Sequence, residues 1–270
     1  MKRKIIVATL VIIFVLLGLV GCINSKVVNA SVWKESPIND GAYVGFKEPM
    51  DFDLRETITD ADYVFSGTVI SRNEYEIEWT DDVGEQWGPF YKSVIEVRIN
   101  KEYHGQSPVQ NDIIRVYLPY SLSTTFEDSF LIKDESEYVF ITKALDEEFV
   151  ESKAEKSPED RFEQEKYADV YISDSCHYLM PIEDGVVFVY SDYFYWDKEV
   201  VKQIKASDSV MTDKVSSPYF LEIGWFVALD AKDFEDAFLN LFENPEKLPD
   251  ADDIRRLYET GEIEQSSIQP

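Results

Sequence analysis

The sequence predicts a β-rich α+β protein: an antiparallel barrel or sandwich, then an α/β extension and C-terminal helices. Three observations predict it. Between Tyr63 and Ala144, runs of β-branched and aromatic residues alternate with period two between turn signals. A charged stretch, Asp146 to Lys166, interrupts them, and shorter β runs resume beyond it. The chain then changes to helical spacing at Phe234, Phe238, Leu241 and Phe242.

Taken in order, residues 22–50 mix Ser, Asn, Gly, Pro and scattered aromatics without a period, and are expected to form a tether. A barrel is expected over 51–145 and the extension, packed on it, over 146–270. Asp53 and Glu56 have capping-box spacing, which predicts a short helix over Asp53–Thr59. Tyr63–Ile70 reads as a strand. In the next, Tyr75, Ile77 and Trp79 form an apolar face opposite Glu74, Glu76 and Glu78. A loop is expected over Thr80–Pro89, carrying Trp87. It leads into Tyr91–Ile99, where Tyr91, Ser93, Ile95, Val97 and Ile99 share one face. Ile113–Leu118 and Tyr138–Ala144 complete a set of five strands.

Ser157-Pro158-Glu159-Asp160 has the layout of a helix start, so a helix is expected over Pro158–Ala168. Strands follow at Val170–Ser173, Tyr178–Met180, Val186–Tyr190 and Tyr193–Trp196, with a hairpin turn at Glu183-Asp184-Gly185. Asp250–Asp253 opens a last helix through Tyr258, and Gly261 follows it as a stop signal.

Composition narrows the function classes. Hydrophobic residues make up 44% and aromatics 14%, too rich in core formers for a disordered chain. The balance of 26 basic and 53 acidic residues gives a net charge of −27. That charge repels nucleic acid and anionic headgroups, so a DNA or RNA partner is not expected.

The first residues, MKRKIIVATLVIIFVLLGLVGC, set a basic start (Lys2, Arg3, Lys4) before an apolar run from Ile5 to Val20. This is the layout of a secretory signal peptide, expected over 1–21. The apolar run is 16 residues, short of the roughly 20 that span a bilayer, which argues against an uncleaved transmembrane helix. Leu19-Val20-Gly21-Cys22 resembles the lipobox of bacterial lipoproteins, whose cysteine is lipidated and becomes the new N-terminus. The resemblance implies a palmitate-bearing lipoprotein held on the outer face of the cell membrane through Cys22, stably so because it supplies two acyl chains. Cleavage would remove three basic residues and no acid, leaving 23 against 53. Cys176 is the other cysteine, so a lipidated Cys22 leaves no partner for an intramolecular disulfide.

Ala61-Asp62-Tyr63-Val64-Phe65-Ser66-Gly67-Thr68-Val69, with Tyr103-His104-Gly105 and Glu137-Tyr138-Val139-Phe140-Ile141, resembles a bacterial group of secreted β-barrel modules. Those modules are similar to the OB-type barrel of the tissue inhibitors of metalloproteases and the netrin C-terminal module. The resemblance covers about residues 53–145 and implies an OB-like antiparallel barrel. Here His104 stands where the group has lysine, and Ser136 where it has glycine. Protease inhibition does not transfer, because that mechanism needs a free N-terminal cysteine in a disulfide-stapled chain.

Reactive chemistry has few candidates. Cys176-His177 places a thiol beside an imidazole, with Asp174 near by. Neighbours on a strand point to opposite faces, so the pair could cooperate only in a turn. Otherwise Cys176 is a small buried hydrophobe and His177 an edge residue; His104 is the other imidazole. Two histidines and one free thiol do not build a zinc site without several carboxylates, and no HExxH, G-x-S-x-G, P-loop or G-x-G-x-x-G occurs. No metal or cofactor is expected. Asp81-Asp82-Val83-Gly84-Glu85 and Asp250–Asp253 gather oxygen ligands without EF-hand spacing, as turns and helix caps do. The 53 acids leave carboxylate-pair hydrolysis open, though nothing points to it.

Trp79, Trp87, Tyr193, Tyr195 and Trp196, with Tyr190 and Phe194, are candidates for a binding patch; the competing reading is that they fill the core. The expectation is a lipid-anchored binding or scaffolding protein of the cell envelope, without catalysis, whose partner is an envelope protein or cell-wall ligand. The alternatives are an envelope hydrolase using Cys176 and His177 or a carboxylate pair, and a sensor or immunity-type lipoprotein.

Overall fold

A computed structural model describes residues 32–40, 43–45, 53–80, 84–126, 132–145, 167–172, 178–190, 210–212, 226–250, 252–253, 255–256 and 260. In chain order these form β1 (Val32–Ser36), β2 (Tyr43–Gly45), α1 (Leu54–Thr59), β3 (Tyr63–Thr80), β4 (Gln86–Gly105) and β5 (Ile113–Leu118). There follow β6 (Thr124–Phe126), β7 (Glu137–Ala144), β8 (Val170–Tyr171), β9 (Leu179–Glu183), β10 (Val186–Tyr190), β11 (Val210–Thr212) and β12 (Phe226–Asp230). Helix α2 (Ala231–Phe238) runs into 3₁₀ turns at Leu239–Phe242 and Pro245–Lys247. The expected β-rich class with a C-terminal helix is what the chain adopts.

Ten strands form one sheet in the order β1-β3-β4-β5-β8-β7-β9-β10-β12-β11, and a further β3–β7 ladder joins its middle to itself. The pairings β3–β4–β5–β8–β7–β3 therefore close into a ring. All are antiparallel except β5–β8, where Val116 and Tyr117 lie beside Val170 and Tyr171. The second edge of β7 divides. Lys143 and Ala144 pair with β8 to close the ring, whereas Glu137–Phe140 pair with β9 and lead into the extension. Strands β1 and β2 lie within the 22–50 segment.

Five ring strands are present, but not the five the sequence predicts. Tyr63–Ile70 and the Tyr75–Trp79 run are one strand of 18 residues, paired with the 20 residues of β4. The residues between the two runs pair in unbroken register, from Ser71 opposite Glu96 to Ile77 opposite Phe90, and the register shifts fall to either side of them, at Val64/Phe65, Ser66/Gly67, Val69/Ser71 and Ile77/Trp79. Such bulges bend a strand without ending it. The fifth strand is β8, beyond residue 145. Gly67 sits at one shift, where a Cβ would lie 2.5 Å from a Val97 methyl and 2.7 Å from the Arg98 carbonyl oxygen. At the far end of β4, Gly105 has φ +76°, and a Cβ there would meet the Asp62 carbonyl at 1.9 Å.

The core fills the ring and continues beneath the extension. Phe65 stacks on Tyr63 at 4.9 Å and on Phe140 at 5.0 Å, and Val69, Ile95, Val97, Ile114 and Val116 are fully buried around them. Tyr138 to Thr142 of β7 are each fully buried, as expected of a strand covered on both faces. Helix α1 starts as expected, with the Asp53 carboxylate accepting the Glu56 amide at 2.8 Å. Helix α2 is capped by Asp230, which accepts from Lys232 and Asp233. Its Phe234 and Phe238 are buried, and Phe234 meets Tyr103 of β4 edge-on at 5.6 Å. The β9–β10 turn is Asp184-Gly185, with φ of 52° and 79°, the paired positive values of a tight hairpin turn. Asp250 accepts the Asp253 amide at 2.9 Å, as a helix cap does. Most of the expected Pro158–Ala168 helix, and the Tyr193–Trp196 strand, lie outside the described residues.

Candidate binding surface

Strand β5 pairs with β4 only over Ser93–Arg98, and β7 with β3 only over Tyr63–Thr68. Beyond those ladders the β3–β4 hairpin runs on as an arm. Strand β1 pairs along it, from Val32 opposite Glu78 to Ser36 opposite Glu74, making the arm three-stranded. The Thr80–Pro89 loop of the sequence reading is correspondingly shorter: β3 continues to Thr80 and β4 begins at Gln86. Trp79 and Trp87 are thus strand residues, and the ladder makes them direct partners. Paired backbone donors and acceptors override the loop signal of Asp, Gly and Pro.

The two faces of the arm differ. On one, Trp33 stacks on Tyr167 at 4.9 Å with an interplanar angle of 2°, and Tyr75 packs against both. Val94, Tyr117, Ala168 and Tyr171 form a small buried cluster with these rings, so this face is covered. Burial, then the negative surroundings of Tyr167, Glu35 and Glu96, raise the Tyr75 phenol above its ordinary pKa. On the other face Lys34, Glu76 and Tyr91 form one row across the three strands. Lys34 reaches Glu78 at 3.2 Å and Glu76 at 3.8 Å, and the Tyr91 hydroxyl donates to Glu76 at 3.4 Å. Tyr91 is 38% exposed there, and Trp87 is 47% exposed farther out.

Where the arm enters the ring, alternation from the acidic face carries Glu74 inside, at 3% exposure, directly opposite Ser93. Glu74, Glu76 and Glu78 share a face as expected, but the ring covers its Glu74 end and leaves Glu76 and Glu78 partly exposed. Ser121 and Ser123 donate their hydroxyls to the Glu74 carboxylate, and the Ser123 amide donates at 3.1 Å. The Leu122 amide donates to Ser93 Oγ at 3.2 Å, and the Asn39 amide to Ser123 Oγ at 2.9 Å. A carboxylate among three serines suggests nucleophile chemistry, but Ser121 and Ser123 spend their protons on Glu74. The cluster is a clasp that holds residues 121–123 and the chain after β1 onto the ring.

The other sequence candidates fall differently. His104 is stacked on Phe242 at 4.6 Å and belongs to the contact between β4 and the C-terminal segment. Cys22, Cys176, His177, Tyr193, Tyr195 and Trp196 lie outside the described residues, so the structure unites only Trp79 and Trp87 of the candidate patch. Among the described residues, no three His, Cys, Asp or Glu side chains converge to hold a metal ion. Sequence reasoning missed the exposure of Tyr91. Its alternation with Ser93 and Ile95 is read correctly, but the ring stops at Ser93, so the same face is buried at one end and open at the other. In comparisons with known proteins, no family model matches the chain, and no curated protein is significantly similar to it.

Proposed function

We propose that this protein is a lipid-anchored, extracytoplasmic binding module of the bacterial cell envelope, docking a partner through the β3–β4 arm. The observation that carries the reading is where exposed apolar area falls. Of the three large hydrophobics exposed among the described residues, Trp87 and Tyr91 lie on the arm, and Ile113 opens β5. Aromatic anchors of this kind dominate binding energetics when a partner desolvates them.

An OB-type barrel is the finer description we propose for the ring. Its support is the spatial order β7-β3-β4-β5, a Greek key in which the fourth strand returns beside the first, with β8 as the fifth strand. On that description the β3–β4 connection is the first strand-to-strand loop, one of the two that bind ligands in OB folds. The anchor is supported by Lys2–Lys4, the apolar run and Leu19-Val20-Gly21-Cys22.

The test has two arms on intact cells. Metabolic labelling with a palmitate analogue should mark the wild type and not Cys22→Ala, which should leave the membrane fraction. Crosslinking with tagged protein as bait should recover one dominant envelope partner, lost with Trp87→Ala. Labelling that persists in Cys22→Ala refutes the anchor, and a partner yield unchanged by Trp87→Ala refutes the arm as the docking element.

A further inference from the structure

The register of β1 fixes which end of the molecule the anchor holds. Strand β1 runs antiparallel to β3, and its first residue, Val32, lies opposite Glu78, two residues before the end of β3. The chain therefore enters the fold at the tip of the arm and runs from there toward the ring. Nine residues separate Val32 from Cys22, a reach of at most about 35 Å when extended. His104, at the other end of β4, packs on Phe242 of the C-terminal segment, so that segment lies at the end of the fold away from the tip.

The tip is aromatic and acidic together. From Glu76 to Lys92 the sequence carries five acids and one base, and β1 adds one of each. Bare anionic headgroups would repel such a tip, at roughly 1 kcal/mol for each charge at the surface. Tyr91, which pairs with Glu76, and Trp87 farther out along the same hairpin instead offer ring faces for cation–π contact with a guanidinium or ammonium group, and the partly exposed Glu76 and Glu78 carboxylates, which already hold Lys34, offer charge-assisted hydrogen bonds.

We propose that the arm is a membrane-proximal docking surface for a cationic segment, bearing Arg or Lys, of a second protein at the same membrane. This rests on the reading of the chain as a lipid-anchored binding module and adds the chemistry of its partner and the orientation in which it is met. Charge complementarity sets the partner's sign, and the short connection to Cys22 sets its distance from the bilayer.

The experiment uses the mature, lipidated full chain in phosphatidylcholine nanodiscs. Its probes are a fluorescent 12-residue peptide alternating Arg and Leu, and a Glu/Leu peptide as control. Saturable binding of the Arg peptide alone is expected, weakening with added salt. Trp87→Ala and the pair Glu76→Gln/Glu78→Gln should each weaken it tenfold or more. The first alters an exposed position and the second two half-buried ones, and an unchanged thermal midpoint checks that the fold survives. In a Cys176→Ser background, a fluorophore at Gln86→Cys should be quenched by headgroup-labelled lipid more than one at Glu243→Cys.

Absence of Arg-peptide binding, or equal binding by wild type and both variants, overturns the proposal. Equal quenching at the two positions overturns the orientation. Trp87-dependent binding of the unanchored Cys22→Ala chain to bare nanodiscs overturns it in favour of a bilayer contact. The in-cell crosslinks separate the two levels. Crosslinks that vanish with Trp87→Ala while the Arg peptide does not bind leave the binding module standing and refute only the cationic partner. Crosslinks that survive Trp87→Ala refute the arm itself.

Discussion

Glu74 accepts both the hydroxyl and the amide of Ser123, 49 residues farther along the chain. The carboxylate is 3% exposed, and Ser121 adds a further donor. Removing it leaves the buried Ser121 and Ser123 hydroxyls without this acceptor and the Ser123 amide with Ser121 Oγ, which costs more than the bonds themselves contribute. Glu74→Ala is expected to destabilise the fold by about 2–4 kcal/mol. Glu74→Gln keeps one acceptor, and the serine hydroxyls can turn to receive its amide, so about 1 kcal/mol is expected. Urea unfolding followed by tryptophan fluorescence measures both. Equal losses in the two variants would show that packing, not hydrogen bonding, sets the cost.

Gly67 and Gly105 are predicted to differ in how they fail. At Gly67 the first obstacle to a Cβ is the Val97 methyl, which can yield, with the Arg98 carbonyl close behind. Gly67→Ala is expected to cost about 1–3 kcal/mol, as overpacking does. At Gly105 the obstacle is the Asp62 backbone at 1.9 Å, and φ is +76°. Gly105→Ala must therefore move α1's connection to β3 away from β4, and is expected to cost more than Gly67→Ala. Comparing the two denaturation midpoints checks the order; the reverse order would place the tighter approach at the bulge.

Local signals in the sequence were read well because local physics decides them. Asp53 caps α1 and Asp184-Gly185 turns β9 into β10, as their residue types require. The alternation of Ser93, Ile95 and Val97 matches the ring interior. What was not legible depends on partners far along the chain. Ser71-Arg72-Asn73 lies between two expected strands, yet β4 pairs straight through it, so the two are one. The burial of Glu74 is invisible without Ser121 and Ser123, and although a strand is expected at Val170–Ser173, its place in the ring between β5 and β7 depends on those partners. Strands β11 and β12 carry no clear pattern of their own and form by pairing with each other and with β10. Of the candidate site, the pairing of Trp79 with Trp87 required knowing that the hairpin outruns the ring.

Alkaline pH should unfold the protein through its buried phenols. Burial, reinforced by donation to Glu102 at 2.7 Å, raises the Tyr63 pKa well above the ordinary tyrosine value; burial also raises Tyr75 and Tyr103. Below the unfolded pKa of about 10 both states hold these protons, and the stability they confer is complete. Above it the unfolded chain releases them while the fold keeps them, so stability falls as pH rises toward the folded values. Tyr63→Phe keeps the ring stacked on Phe65 and removes one titrating group. Its stability should decline less steeply than that of the wild type above about pH 10. Chemical denaturation across that range gives the two slopes; identical slopes would exclude Tyr63 as a contributor.

Arg72 joins segments that nothing local brings together. Its guanidinium donates to the Ile132 carbonyl at 2.7 Å and contacts Asp40 at 2.8 Å and Asp134 at 3.3 Å. The two carboxylates are 42% and 53% exposed, so each ion pair is worth little on its own. Ile132 is 3% exposed, however, and its carbonyl bond to a charged donor is the part that matters. Asp40→Asn is therefore expected to change stability by less than about 0.5 kcal/mol. Arg72→Met, which keeps an apolar stem and loses the donors, should cost about 2 kcal/mol. Arg72→Lys should fall between them, because one ammonium cannot reproduce the planar fork that reaches three partners. If Asp40→Asn proves as costly as Arg72→Met, the charge pair rather than the carbonyl is what holds the segment after β1 against β3.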